Sequence, residues 1–178
     1  MGQTYPVLPS LFWISGPPAA GKTTLCGALL ARFERGLHLP VDDLRGWVVQ
    51  GMADSVPWTD ETERQFRLAE TAACEVARRY HEAGFGVAID GCRNPARLDT
   101  VFAETGIAPV RVLLMPDLET NLRRSHTRQN KTFNPRMLDE TILYTNARYR
   151  EDVGEGWLVV DNAGLTIEAT VETILASI

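Results

Sequence analysis

Leu11-Phe-Trp-Ile-Ser15, followed at once by Gly16-Pro-Pro-Ala-Ala-Gly21-Lys22-Thr23-Thr24, decides how this chain is read. The first segment spells a buried strand. The second fits G-x-x-x-x-G-K-[ST] where that pattern has physical meaning, between a strand and a helix. Polyphosphate is held by backbone N–H groups converging at a helix N-terminus, where the aligned peptide dipoles also favour negative charge. Pro17 and Pro18 carry no N–H. The donors are therefore expected among Ala19, Ala20, Gly21, Lys22, Thr23 and Thr24, with Gly16 and Gly21 allowing close backbone approach. Lys22 is expected to reach the terminal phosphates and the Thr23 hydroxyl to ligate Mg2+, with Thr24 adding a hydroxyl to the α-phosphate. Leu25, Ala28, Leu29 and Phe33 then form the buried face of the helix, and Cys26 packs among them.

Working outward, further short apolar runs at 37–41, 86–90, 110–115 and 157–161 alternate with longer amphipathic segments. This is the pattern of an α/β protein with a five-stranded parallel sheet and helices on both faces, three layers in all. Asn94-Pro95 and Asn134-Pro135 each place a cap residue before proline at a first helical position, Asp60 with Glu63 reads as a capping-box pair, and Thr166 can cap the terminal helix. A one-sided helix is expected over about 60–81, with Phe66, Ala69, Ala73, Val76, Ala77 and Tyr80 at helical spacing and Gly84 as its stop. Residues 1–10 read as a tail and 51–57 as a loop. No repeat or linker divides the chain, so 1–178 is expected to form a single domain.

Composition narrows the function. The chain has 178 residues, 44% hydrophobic and 23% charged, with a formal charge of −5. That is enough chain for a real core without disulfides or structural metal. An acidic balance argues against a generic binder of long nucleic acid or anionic membrane. The longest uncharged apolar stretch, 11–20, is too short and too rich in Gly and Pro to span a bilayer, and a cytoplasmic location is expected. Cys26, Cys74 and Cys92 form no C-x-x-C pair and indicate neither a disulfide framework nor zinc.

In open α/β sheets ligands bind beyond the carboxyl ends of the strands. Two apolar strands end there in acids. Asp42 and Asp43 follow Leu37-His-Leu-Pro-Val41, and Asp90 follows Gly86-Val-Ala-Ile89. Asp42 is the expected base for an acceptor hydroxyl, Asp43 the cap of the next helix, and Asp90 a ligand near the metal or substrate. Arg45 and Arg93 are candidates to hold an acceptor through their planar forks. Trp47 and Trp58 flank an acceptor-site region at about 42–80. Four of the 18 Lys and Arg residues, Arg123, Arg124, Arg128 and Lys131, fall within one short run. Arg124 and Arg128 lie four apart and share a helix face, so both can stabilise charge on a transferring phosphate from a lid at about 122–134. His126 is expected to face solvent. Asn162 and Gly164, in the turn after the last strand, are expected to contact the nucleotide base through the backbone, with the choice of adenine or guanine open.

Together GPPAAGKTT, PVDDLR, AIDG and RRSHTR resemble the small P-loop kinases, especially chloramphenicol phosphotransferase-like proteins and related AAA-family ATP-binding proteins. The resemblance covers most of the chain. It implies a P-loop NTPase fold of the nucleoside-kinase type with strand order 2-3-1-4-5, ATP with Mg2+, and phosphoryl transfer to a small-molecule hydroxyl; the chain is expected to act as a monomer or homodimer. It also implies Asp42 as the base, and PVDDLR is similar to the acceptor-site motif of adenylylsulfate kinases, which supports Arg45. The chain lacks the glycine pair of shikimate kinases and the basic signature of gluconate kinases, so the acceptor stays open among antibiotic, sugar and other metabolite. Two alternatives stand beside this reading: a nucleoside, nucleotide or polynucleotide-end kinase, and a nucleotide-gated regulatory protein.

Overall fold

The computed structural model describes residues 10–127 and 138–178. The chain runs β1 (Leu11–Ser15), α1 (Lys22–Leu30), β2 (Gly36–Pro40), α2 (Val41–Gly46), α3 (Asp60–Glu82), β3 (Gly86–Gly91), α4 (Pro95–Thr105), β4 (Val110–Leu114), α5 (Leu118–His126), α6 (Asp139–Glu151), β5 (Trp157–Val160) and α7 (Ile167–Leu175). Every strand pairing is parallel, in the order β2-β3-β1-β4-β5. The expected fold class and strand order hold.

Side chains alternate across a strand, so β1 feeds two cores at once. Leu11 and Trp13 pack with Phe66, Ala73, Ile89, Leu98 and Phe102 beneath α3 and α4, while Phe12 and Ile14 pack with Leu25, Leu29, Val112, Val171 and Ile174 beneath α1 and α7. Phe12, Trp13 and Ile14 are fully buried. Burial of that kind contributes roughly 1.5–3 kcal/mol per large side chain, which fixes the strand that delivers the phosphate loop.

The helix starts explain the remaining phase. Asn94 caps α4 through Ala96 N at 2.9 Å with Pro95 in the first turn, and Thr166 caps α7 through Ala169 N at 3.1 Å. Two expected caps are corrected. The capping box of α3 is Thr59 with Thr62, one residue before Asp60 and Glu63. The cap position of α2 is Pro40, whose extended backbone leads straight into Val41, so Asp43 lies inside the helix. That places Val41 in α2 and ends β2 at Pro40. Among the described residues no helix is long and apolar enough to cross a membrane.

Parallel register aligns the strand ends that matter. Ser15 pairs with Gly91 and Leu113, Pro40 with Asp90, and Leu114 with Val160. Gly16, Asp42, Asp90 and Asp161 therefore leave the sheet along one edge, where an open α/β sheet builds its site.

Candidate active site

Ser15 ends β1 and the backbone turns sharply. Gly16 has φ +151°, Ala19 φ +63° and Gly21 φ +98°. A Cβ on Gly16 would lie 2.5 Å from the Leu114 carbonyl oxygen, so no other residue fits there. Gly21 caps α1 and offers no side chain to its first turn. The opening amides of a helix have no intrahelical acceptor, which leaves those of α1 able to bind an anion. Ala20 N already makes a 3.3 Å turn bond to Pro17 O. Lys22 Nζ donates to the carbonyls of Gly16 and Pro17, each at 2.9 Å, which holds the ammonium across the loop.

Thr23 Oγ1 donates to Asp90 Oδ2 at 2.9 Å, bringing together two residues that lie 67 positions apart. Asp90 is almost fully buried, and its other oxygen lies 3.4 Å from His38 Nε2 on β2. The ligand atoms of Cys26, His38 and Asp90 all lie within 4.8 Å of one another. Burial, reinforced by Asp90, raises the Cys26 thiol well above its ordinary value, so it stays protonated and is a poor donor to a hard cation. The oxygens of Thr23 and Asp90 are the set that suits Mg2+.

Asp42 and Asp43 are exposed in the first turn of α2. Burial pushes the thiol of Cys92, just past β3, above its ordinary value, with Lys22 pulling it down and Asp42 raising it. That sulfur is 3.7 Å from the buried Tyr149 hydroxyl, whose proton is likewise held well above the usual range by burial.

Arg45 and Arg93 turn inward. Arg45 donates to Ala53 O at 2.9 Å and Ser55 Oγ at 3.3 Å, and its guanidinium lies 3.8 Å from the Phe66 ring centre. Arg93 donates from Nε to Glu70 and from both terminal nitrogens to Glu63. Trp58 stacks on Phe66 with ring centres 5.0 Å apart, whereas Trp47 closes α2 and is 73% exposed. Arg124 donates to the carbonyls of Asn162 at 2.9 Å and Ala163 at 3.4 Å, which joins α5 to the turn after β5. Thr24 and Gly164 are exposed on the same edge. His126 pairs with Asp139 at 2.8 Å on the surface. Arg128, Lys131, the helix start at Asn134-Pro135 and most of the expected lid lie outside the described residues.

The sequence reading missed several of these residues. Asn121 on α5 donates to Pro18 O at 3.0 Å, Glu63 and Glu70 hold Arg93, and Cys92 meets Tyr149. For Asn121 the available signal was its position three residues before Arg124, on one helix face.

No family model matches the chain, and no curated protein matches it by sequence. Solved structures match it along nearly its full length. The tunicamycin resistance protein of Deinococcus radiodurans is 20% identical, with 95% of each chain covered and a TM-score of 0.66. Thymidylate kinase from Candida albicans is 13% identical, with 96% of this chain and 91% of that one covered and a TM-score of 0.70. A gluconokinase from Sinorhizobium meliloti is 18% identical, with 95% and 91% covered and a TM-score of 0.65. With its phosphate loop, its parallel sheet and this strand order, the chain has the fold of the P-loop small-molecule kinases.

Proposed function

We propose that the protein is an ATP-dependent phosphotransferase that moves the γ-phosphate of ATP to a hydroxyl of a small molecule. One observation carries the reading: the Lys22 loop that ends β1 and the acids at the ends of β2 and β3 share one end of the parallel sheet, with Thr23 Oγ1 bonded to Asp90 Oδ2 at 2.9 Å. A gate that only binds and hydrolyses nucleotide has no use for an acceptor-activating carboxylate there.

Phosphoryl transfer asks the protein mainly to position reactants and screen charge. The amides from Ala19 to Thr24 hold the phosphates. Lys22 exchanges its bonds to Gly16 O and Pro17 O for phosphate oxygens and neutralises charge as the bond to the leaving ADP breaks. Asp42 orients the acceptor hydroxyl and takes its proton as the new O–P bond forms. Thr23 and Asp90 would hold Mg2+, which would supply positive charge to screen the phosphates. Arg124 adds positive charge from α5, and Asn162 and Gly164 meet the base. Arg45 and Arg93 act behind the acceptor wall: Arg45 ties down the 51–55 loop, and Arg93 locks α3 to the end of β3. The exposed Trp47, at the far end of α2 from Asp42, then offers the acceptor an apolar surface.

The test is acceptor-dependent ADP release across a panel of hydroxylated compounds, with the product confirmed by a mass gain of one phosphoryl group. A panel that includes aminoglycosides, phenyl-substituted diols, sugars and nucleosides, yet shows only acceptor-independent hydrolysis, would overturn the reading.

A further inference from the structure

We propose that Asn121 and Asn162 are positioning residues that aim the phosphate-binding amides of the loop; the inference rests on the nucleotide reading above. The loop holds itself at one end, where Lys22 Nζ bonds the Gly16 and Pro17 carbonyls and Ala20 N turns back to Pro17 O. Pro17 and Pro18 cannot donate, and Ala19, a residue with a Cβ, sits in the left-handed region at φ +63°. A non-glycine residue persists in that region only where its surroundings over-determine it.

Two buried side chains supply the restraint. Asn121 Nδ2 donates to Pro18 O at 3.0 Å, and Asn162 Nδ2 donates to Ala20 O at 3.0 Å. These carbonyls flank Ala19 on either side. In a trans peptide the C=O and the following N–H point in opposite directions within one rigid plane. Fixing Pro18 O therefore fixes the Ala19 N–H, and fixing Ala20 O fixes the Gly21 N–H. Both amides belong to the set that the loop offers to phosphate. The asparagines pull the carbonyls back into the protein and so turn the donors outward.

A second observation makes this more than ordinary packing. Oδ1 of Asn121 and Oδ1 of Asn162 are both buried and have no hydrogen-bond partner. A buried acceptor left unpaired is destabilising, and an aliphatic side chain of similar size would avoid that. The two residues thus keep a local destabilisation in exchange for two donors at the phosphate loop, a pattern that marks functional positions. Arg124 reaches from the helix that carries Asn121 to the carbonyl of Asn162, closing a ring of α5, the phosphate loop and the turn after β5.

The test compares ADP with AMP, because the loop holds the phosphate that AMP lacks. In Asn121→Leu and Asn162→Leu, calorimetric titration is expected to show ADP binding weakened about three- to tenfold per variant, as for one lost hydrogen bond. In Asn121→Leu AMP affinity should stay within twofold; Asn162→Leu, at a residue also assigned to the nucleotide base, is read on ADP alone. Equal weakening of ADP and AMP in Asn121→Leu, or ADP affinity unchanged in folded variants, overturns the inference. Should either variant fail to fold, the unmutated, isotope-labelled chain gives a second reading: the amide protons of Ala19 and Gly21 should shift downfield when ADP is added. Their remaining in place while other loop amides move overturns the inference and leaves the nucleotide reading standing. A wild-type chain that binds no ADP at millimolar concentration overturns both.

Discussion

Arg93 donates from Nε to Oε1 of Glu70 across 2.6 Å, and its two terminal nitrogens are taken by Glu63 at 2.6 and 3.0 Å. One guanidinium therefore serves two carboxylates. The excess negative charge settles its cost on the more deeply buried of the two: burial drives Glu70 up to about 7, against the pull of Arg93. Hydrogen bonds from Arg93 hold the half-buried Glu63 below its ordinary range.

These shifts have opposite signs in stability. A raised carboxyl stabilises the fold below its unfolded value near 4.5, and the benefit is lost as pH climbs through about 7. A lowered carboxyl stabilises above its unfolded value and fails as pH falls. Glu70→Gln is accordingly expected to be more stable than wild type at pH 8, by about 1–3 kcal/mol, with the gap closing near pH 5. Denaturant melts at the two pH values check this. A gap that is the same at both would show that Glu70 is ionised throughout.

The sequence made the phosphate loop legible because Gly16, Gly21, Lys22 and Thr23 act through spacing within one turn, and spacing is visible in a string. The caps at Asn94 and Thr166 were legible for the same reason. The start of α3 was not: Thr59-x-x-Thr62 and Asp60-x-x-Glu63 are overlapping boxes one residue apart, and Thr62 is drawn to the first because its hydroxyl also donates to Asp54 O at 2.7 Å. The fates of Arg45 and Arg93 were hidden because their partners are set by tertiary packing. Glu63 and Glu70 lie on α3, well separated in sequence from Arg93. Pro18 and Asn121 are 103 positions apart.

Glycines in and beside the loop should respond in opposite ways. Gly16→Ala forces a Cβ to within 2.5 Å of Leu114 O, at a positive φ that alanine resists. It is expected to destabilise the fold by about 2–4 kcal/mol. Gly27 lies within α1 with nothing inside 4 Å of a built Cβ. Gly27→Ala should stabilise by about 0.5–1 kcal/mol, because alanine loses less backbone entropy in a helix. Urea unfolding of both variants decides the matter, and a neutral Gly16→Ala would contradict the loop geometry.

The bond between Thr23 and Asp90 predicts how the metal requirement responds. Asp90→Asn keeps the shape but removes the charge beside the Thr23 hydroxyl, so the Mg2+ concentration for half-maximal ADP release should rise about 10- to 100-fold. ADP binding in EDTA should change little. Thr23→Ser should behave as wild type and Thr23→Ala as Asp90→Asn. Unaltered Mg2+ titrations in Asp90→Asn would remove Asp90 from the metal's surroundings.

Asp42 is separable from Asp43 by two readouts that do not depend on each other. As the base, Asp42 should lower turnover about 10²- to 10⁴-fold when changed to Asn, with binding of a non-hydrolysable ATP analogue left within twofold. Asp43→Asn, one position on in α2, should leave turnover near wild type. Cys92 gives the second readout without any acceptor in hand. Because Asp42 raises the Cys92 thiol and Lys22 lowers it, Asp42→Asn should shift the pH profile of Cys92 alkylation to lower pH, and Lys22→Met should shift it to higher pH. Cys74, buried beneath α3, serves as the unreactive internal control. A Cys92 profile indifferent to both substitutions would show that neither charge reaches that thiol, and full turnover in Asp42→Asn would remove Asp42 as the base.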